Sequence, residues 1–188
     1  VHSSSDLVSH NGRELLQWLE GLRDRGIVNR IGVSIYDGLE LDDLPLDRLQ
    51  VVQLPLSVYN QQLLRDGTLE RLNQQGIAIH VRSVFLQGLL LQSPQDWPSH
   101  LSLAFRRHHE NWLKFLEYKN ISPIIAALAF VSRCKAVEAV LIGVLSACEL
   151  EQLLHAWNQI SSFSPQCLSE WAWESNTDYD PRFWPSIA

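Results

Sequence analysis

The chain is 188 residues long and 46% hydrophobic, enough to bury the core of one domain, and no run of about 18 apolar residues predicts a membrane helix. Its formal net charge of −6, with a pI near 5.6, argues against a nucleic-acid partner or an acidic membrane surface. The three cysteines lack metal-ligand spacing and no signal-peptide pattern is present, so the sequence predicts reduced thiols in a cytoplasmic protein and no metal site.

Short apolar strands alternate with helical segments along the chain. The chain opens inside a predicted strand at Val1-His2, and further strands are predicted over residues 30–36, 49–55, 77–83 and 137–143. The predicted helices run from a capping box at Asn11 and Glu14 to Gly26, over residues 68–75 and over residues 97–119. Two more begin at Ser122-Pro123 and at a second capping box, Ser146 to Glu149.

This alternation predicts βαβ units and a parallel sheet. An open doubly wound sheet is the alternative to a (β/α)₈ barrel, but no G-x-G-x-x-G turn follows any strand, which favours the barrel. About five strands are predicted, so the barrel is incomplete. We expect residues 1–160 to form its C-terminal part and residues 161–188 to form a tail anchored by Trp171, Trp173 and Trp184. Because the chain contains no Met, even at position 1, we expect it to be the C-terminal piece of a longer protein.

Polar residues collect where the predicted strands end. His2, Ser34, Gln53 and Arg82 each lie at or near the carboxyl end of an apolar segment. Ligands of α/β folds bind at the carboxyl ends of parallel strands. These residues are therefore the first candidates for a site.

Several segments resemble aldo/keto reductases when taken together. Residues 26–36 resemble the family's G-x-I-R-x-I-G-V-S-N-Y strand, and residues 51–56 resemble the next strand, whose Gln faces the nicotinamide ring. Residues 76–90 are similar to G-I-x-V-x-x-Y-S-P-L-x-x-G-L-L, and residues 141–150 to the last strand and adenine-binding loop. His2 matches the His of the fourth strand. The ending Asp180-Pro181-Arg182-Phe183-Trp184 is similar to members from surface-polysaccharide biosynthesis clusters.

The resemblance implies the fourth to eighth strands of an aldo/keto reductase barrel. It also implies reduction of a small or sugar-like aldehyde or ketone by NAD(P)H. The family's catalytic tetrad is Asp, Tyr, Lys and His, and only His2 has a counterpart here, so we expect this piece to be catalytically incomplete. The alternative is a non-catalytic barrel that binds nucleotide or acts as a regulatory subunit. The oligomeric state is not predicted.

The resemblance also implies a set of cofactor-binding residues. They are Ser34, Gln53, Arg82, Ser83, Leu86, Gly88, Gly143, Val144, Ser146, Glu149 and Gln152. Ser34 and Gln53 can hold a carboxamide, which needs a donor and an acceptor, or can serve as ordinary strand-end hydrogen bonds. Ile35 stands where the family usually has Asn.

Two further candidates have competing interpretations. His2 either orients the substrate carbonyl or is an exposed terminal His. Arg82 stands where the family has an aromatic residue on the nicotinamide, so it stacks there, binds an acidic substrate group or the pyrophosphate, or pairs with a carboxylate.

The segment before the last helix bears on cofactor choice. Gly143, Val144 and Ser146 precede a helix N-terminus that suits a phosphate. Glu149 either caps the helix or repels an extra phosphate, so NADH is slightly favoured over NADPH. Finally, His100, His108 and His109 are expected to form a solvated helix face rather than a metal site.

Overall fold

The computed structural model describes residues 1–162 and 168–185, and they divide into two compact units. The first, here called the sheet unit, comprises Val1–Pro55, Gln62–Arg82 and Lys135–Val140. The second, the helical unit, comprises Leu56–Gln61, Ser83–Cys134 and the described part of Leu141–Ala188. Each unit is treated separately below. Cys167 lies outside the described residues.

The sheet unit contains a parallel sheet of four strands, which confirms the predicted α/β class. The strands are β1 (Gly32–Ser34), β2 (Val51–Pro55), β3 (Ala78–Arg82) and β4 (Val137–Val140), in the order β1-β2-β3-β4. The prediction of five strands is wrong, because no strand forms at the start of the described chain. Val1 alone pairs with β1, donating to the Gly32 carbonyl at 2.6 Å and accepting from the Ser34 amide at 2.9 Å. A helix begins at Ser4, and one paired residue does not make a strand.

Four helices complete the sheet unit: α1 (Ser4–Val8), α2 (Gly12–Asp24), α3 (Gln62–Arg65) and α4 (Thr68–Gln74). Short 3₁₀ turns run over Gly38–Asp42 and Leu46–Arg48. The predicted capping box at Asn11 is wrong, since its side chain makes no cap hydrogen bond. The turn depends on Gly12 instead, where a Cβ would overlap the Leu7 carbonyl. Gly26, with φ of 69°, follows α2 as predicted, and Gly76, with φ of 70°, follows α4 in the same way.

The two faces of the sheet differ sharply. One face is apolar, and its side chains are at most 4% exposed: Ile31, Val33, Ile35, Val52, Leu54, Ile79 and Val81. The other face carries Arg30, Ser34, Gln53, His80 and Arg82, which share the alternate positions of the strands. On this face Ser34 is buried, whereas Arg30 is exposed and the other three side chains are partly exposed.

The helical unit contains α5 (Leu103–Lys119), α6 (Pro123–Ser132), α7 (Ala147–Gln159) and α8 (Asn176–Tyr179). Its 3₁₀ turns are Leu89–Leu91, Ile160–Ser162, Leu168–Trp171 and Pro181–Phe183. Helix α5 begins six residues later than predicted from Trp97. Ser102 caps it by accepting from the Phe105 amide at 3.1 Å, and the Asp178 carboxylate binds both the amide and the hydroxyl of Ser102 at 3.0 Å.

The predicted starts of α6 and α7 agree with the structure. Ser122 and Ser146 each accept a hydrogen bond from an amide in the first turn, at 3.5 and 3.1 Å. The second capping box differs in one respect. The Glu149 carboxylate accepts from the Leu145 amide at 2.7 Å, one residue before the cap.

An aromatic cluster forms the core of the helical unit around Tyr59 and Trp112, both fully buried. The ring of Trp171 contacts that of Trp112, with centroids 5.3 Å apart, and the Trp173 amide donates to the Tyr59 carbonyl at 2.9 Å. The Trp184 indole donates to the carbonyl of Asp178 at 3.2 Å. No helix of the described residues is long and apolar enough to cross a bilayer.

Candidate functional site

A cavity of about 490 Å³ lies on the polar face of the sheet unit. Three predicted site residues line it together: His2, Ser34 and Gln53. Register explains this for two of them, because Ser34 of β1 is directly opposite Gln53 of β2. Their side chains are linked by a hydrogen bond from the Ser34 hydroxyl to Gln53 Oε1, at 3.4 Å. The His2 side chain is exposed and joins them through the pairing of Val1 with β1.

Arg82 extends this group at the end of β3. Its Nε donates to the Ser34 hydroxyl at 3.3 Å, and its Nη2 donates to the Ile35 carbonyl at 3.1 Å. The guanidinium carbon lies 4.0 Å from the centroid of the Tyr36 ring. The guanidinium therefore lies over the Tyr36 ring, whereas the stacking role considered from the sequence was on the nicotinamide ring. The Ile35 side chain is fully buried, so it cannot replace the amide of the Asn that the family usually has here. The Ile35 carbonyl is already bound by Arg82.

An ionic cluster on the same polar face was missed by sequence reasoning. Arg30 makes a two-pronged ion pair with Glu138, at 2.6 and 3.0 Å, and His80 Nε2 lies 3.4 Å from the same carboxylate. The hydrogen bonds from Arg30 and then His80 lower the pKa of Glu138. The ion pair thus connects Arg30, which lies two residues before β1, with Glu138 of β4.

Period-two alternation was the signal that could have found this cluster. Arg30 and Ser34 share one face of β1, and His80 and Arg82 share the same face of β3. The polar side chains on that face were interpreted as strand-end residues. The alternation instead marks one whole face as polar.

In the helical unit, Ser83, Leu86 and Gly88 lie in one tight segment after β3. Ser83, Leu86 and Gln87 have φ of 60°, 49° and 58°, and Gly88 has φ of 90°. Such left-handed residues are uncommon outside glycine and cluster at ligand-binding sites. The Leu86 side chain is only 2% exposed, so this residue has mainly its main chain to offer to a ligand.

The remaining predicted residues lie at the start of α7. Gly143, Val144, Ser146 and Glu149 are exposed there. The Glu149 carboxylate and the Ser146 hydroxyl both bind main-chain amides of this helix start, which is the capping role considered for Glu149.

Gln152 lies one turn further along α7 and lines a different cavity. That cavity has a volume of about 640 Å³ and is bordered by α5, α6 and α7. Gln152 therefore lines a cavity shared with α5 and α6, whereas Glu149, in the same helix, binds the main chain at the start of α7.

A buried tyrosine–histidine pair is the second feature that only the structure shows. The Tyr59 hydroxyl donates to His109 Nδ1 at 2.7 Å, and His109 Nε2 donates to the Gln92 carbonyl at 2.9 Å. A carbonyl only accepts, so the second bond fixes the tautomer. Burial lowers the pKa of His109 to about 4 and raises that of Tyr59.

The prediction of a solvated histidine face is wrong for His109, which is fully buried, and His108 is half-buried against the Trp171 carbonyl. The apolar stripe of α5 contains Phe105, Trp112 and Leu116, and His109 falls on it at helical spacing. The helical spacing alone would have predicted that His109 is buried, although His is a polar residue. Within the described residues, no three His, Cys, Asp or Glu side chains converge as metal ligands would.

The chain belongs to the aldo/keto reductase family, a family of oxidoreductases, because the family model matches residues 6–172. No curated protein matches the chain. Among solved structures it is similar to the holo form of aldo-keto reductase AKR11C1 from Bacillus halodurans, at 16% identity and a TM-score of 0.66, covering 89% of this chain and 58% of that one.

Two further structures show the same likeness. The thermostable aldo-keto reductase Tm1743, in complex with the inhibitor epalrestat, has 18% identity and a TM-score of 0.59, covering 84% of this chain and 53% of that one. The glycerol dehydrogenase AKR11B4 from Gluconobacter oxydans has 15% identity and a TM-score of 0.50, with 80% and 54% covered. These likenesses show the fold. The chain spans only 53% to 58% of the length of these three structures.

Proposed function

We propose that the full-length protein reduces a small aldehyde or ketone, of the sugar-like class, with NAD(P)H. Family membership supports the reaction class, and one observation supports the site: His2, Ser34 and Gln53 line a single cavity. The presence of a substrate carbonyl beside His2 would let the imidazole donate a hydrogen bond to its oxygen. That bond stabilises the negative charge that develops there during reduction.

Ser34 and Gln53 suit the carboxamide of a nicotinamide cofactor, which supplies the hydride when bound. The Gln53 amide offers both a donor and an acceptor, and the Ser34 hydroxyl offers one of each. Arg82 donates to the Ser34 hydroxyl and so fixes its orientation. The carboxamide would exchange the weak 3.4 Å bond between Ser34 and Gln53 for two bonds to the ligand.

In the helical unit, the start of α7 suits a phosphate group, and its charge favours NADH. Between Gly143 and Leu154 there is no Lys or Arg, the residues that bind a 2′-phosphate. The Glu149 carboxylate instead lies at this helix start, bonded to the Leu145 amide. The spacing of the cysteines favours a reducing, cytoplasmic compartment.

The experiment compares dinucleotide binding with turnover in the full-length protein. Binding is titrated by fluorescence, and reduction of a panel of small aldehydes and ketones is followed by loss of NADH or NADPH absorbance. His2→Ala is expected to lower kcat by about 10²–10⁴-fold and to leave dinucleotide affinity unchanged. The control is His10→Ala, at another exposed His of the sheet unit.

The alternative is a non-catalytic barrel that binds nucleotide or acts as a regulatory subunit. Dinucleotide binding without turnover of any carbonyl would support that alternative. Unchanged turnover in His2→Ala would show that His2 does not act on the substrate.

A further inference from the structure

The segment from Ser83 to Gln92, here called the 83–92 loop, has an unusual main chain. Four of its residues have left-handed φ values, and three of them are not glycine. Local hydrogen bonds turn the loop on itself, such as Leu86 to Ser83 at 3.0 Å and Gly88 to Phe85 at 2.9 Å. Because left-handed side-chain residues are strained, the loop needs contacts from elsewhere to keep this conformation.

Two buried rings supply such contacts from outside the loop. His109 Nε2 donates to the carbonyl of Gln92 at 2.9 Å, and the Trp97 indole donates to the carbonyl of Leu89 at 3.1 Å. The two rings lie against each other, with centroids 4.5 Å apart and planes tilted by 30°. Two main-chain oxygens at the end of the loop are thus bound, one by His109 of α5 and one by Trp97, which precedes that helix.

Tyr59 fixes the orientation of the His109 ring. Its hydroxyl donates to Nδ1, which leaves the proton on Nε2, where the Gln92 carbonyl needs it. Tyr59 is itself held by the bond from the Trp173 amide to its carbonyl and by edge contact of its ring with Phe105 at 5.5 Å. The pair therefore joins the segment Leu56–Gln61, helix α5 and the 83–92 loop.

We propose that the Tyr59–His109 pair is a positioning device that preforms the 83–92 loop for dinucleotide binding. This inference rests on the proposed function, and it adds Ser83 and Gly88, which the family resemblance places among the cofactor-binding residues. A loop that samples the binding conformation only part of the time binds its ligand more weakly by that fraction. His109 acts through the loop and is a positioning residue rather than a catalytic one.

Two substitutions of His109 separate its two hydrogen bonds. Gln places an amide nitrogen as far along the side chain as Nε2, so His109→Gln keeps a donor for the Gln92 carbonyl. Asn places its amide at the level of Nδ1, so His109→Asn keeps a partner for Tyr59 and loses the bond to Gln92. The full-length protein is used, and His10→Asn is the matched control at an exposed His.

Two measurements are made on each variant: amide hydrogen exchange of residues 84–92 and the dissociation constant of NADH. For His109→Asn we expect exchange in the loop to rise and NADH affinity to fall by about tenfold or more. For His109→Gln we expect both values to stay within about threefold of the wild type. Should His109→Asn not fold, Tyr59→Phe removes one oxygen and is expected to give a smaller loss of NADH affinity.

The outcomes distinguish this inference from the proposed function. If the wild-type protein binds neither NADH nor NADPH, the proposed function fails and this inference fails with it. If the wild type binds and His109→Asn or Tyr59→Phe binds equally well, only the positioning role is overturned. It is also overturned if His109→Gln loses as much affinity as His109→Asn, or if loop exchange rises without any loss of affinity.

Discussion

Lowering the pH from 7 to 4 is expected to destabilise the protein through the fully buried imidazole of His109. Its neutral form satisfies both ring nitrogens, one against Tyr59 and one against the Gln92 carbonyl. A proton added to Nδ1 would face the Tyr59 hydroxyl, which then has to turn its own hydrogen away into the core. His108 also lowers the pKa of His109 electrostatically, to a smaller extent than burial, and burial lowers the pKa of His108 itself.

The size of the effect follows from the pKa of His109, which falls from 6.5 in the unfolded chain to about 4 in the folded one. Between these values the unfolded state binds more protons, so the free energy of unfolding decreases as the pH falls. The stabilisation by neutral His109 is fully present above pH 6.5. At about 1.4 kcal/mol per pH unit, the free energy of unfolding falls by roughly 2 kcal/mol at pH 5 and by roughly 3 kcal/mol at pH 4.

Urea unfolding followed by tryptophan fluorescence, at several pH values between 7.5 and 4, measures this loss. His109→Gln has no titrating ring at this position, so its free energy of unfolding should lack the His109 contribution. The wild type should lose about 3 kcal/mol more than this variant across the range. Carboxylates and His108 titrate in both proteins and cancel in the difference, and the exposed His10→Gln should behave as the wild type. Identical pH dependence in wild type and His109→Gln would refute the reasoning.

Three further predictions test other parts of the molecule. Tyr59→Phe leaves the buried Nδ1 of His109 without its donor and should lower the free energy of unfolding by about 1–3 kcal/mol. Tyr118→Phe, at an 85% exposed position, should leave the free energy of unfolding unchanged. Equal urea midpoints for the two variants would contradict this prediction. Gly32→Ala should lower the free energy of unfolding by about 3 kcal/mol or more, because the new Cβ would overlap the Val51 carbonyl across the β1–β2 pair. Gly21→Ala, which has open space around it in α2, should raise that free energy by about 0.5–1 kcal/mol. A thermal melt of Gly32→Ala identical to that of the wild type would contradict this packing. The wild-type protein should bind NADPH no more tightly than NADH, and Glu149→Arg should shift the ratio of the two dissociation constants in favour of NADPH. Tenfold tighter binding of NADPH than of NADH by the wild type would contradict this prediction.

Much of the candidate site could be predicted because its signals are local. Ser34 and Gln53 were identified from short apolar runs that end in polar residues, and they do lie opposite each other in neighbouring strands. The glycines after α2 and α4 and the serines before α6 and α7 also depend on only a few neighbouring residues. The roles of the site residues toward a cofactor remain predictions.

The parallel α/β class and the approximate places of the four strands could be predicted from local sequence, since periodicity and turn residues act over a few positions. Which groups meet across long separations depends on the tertiary fold. Asp178 sets the start of α5 from 76 residues away, and Arg30 binds Glu138 across 108 residues of sequence. His109 shows the same limit within one helix. Its place on the apolar stripe was visible in the sequence, but its burial required Tyr59 and the Gln92 carbonyl as hydrogen-bond partners, and the fold alone brings these to it.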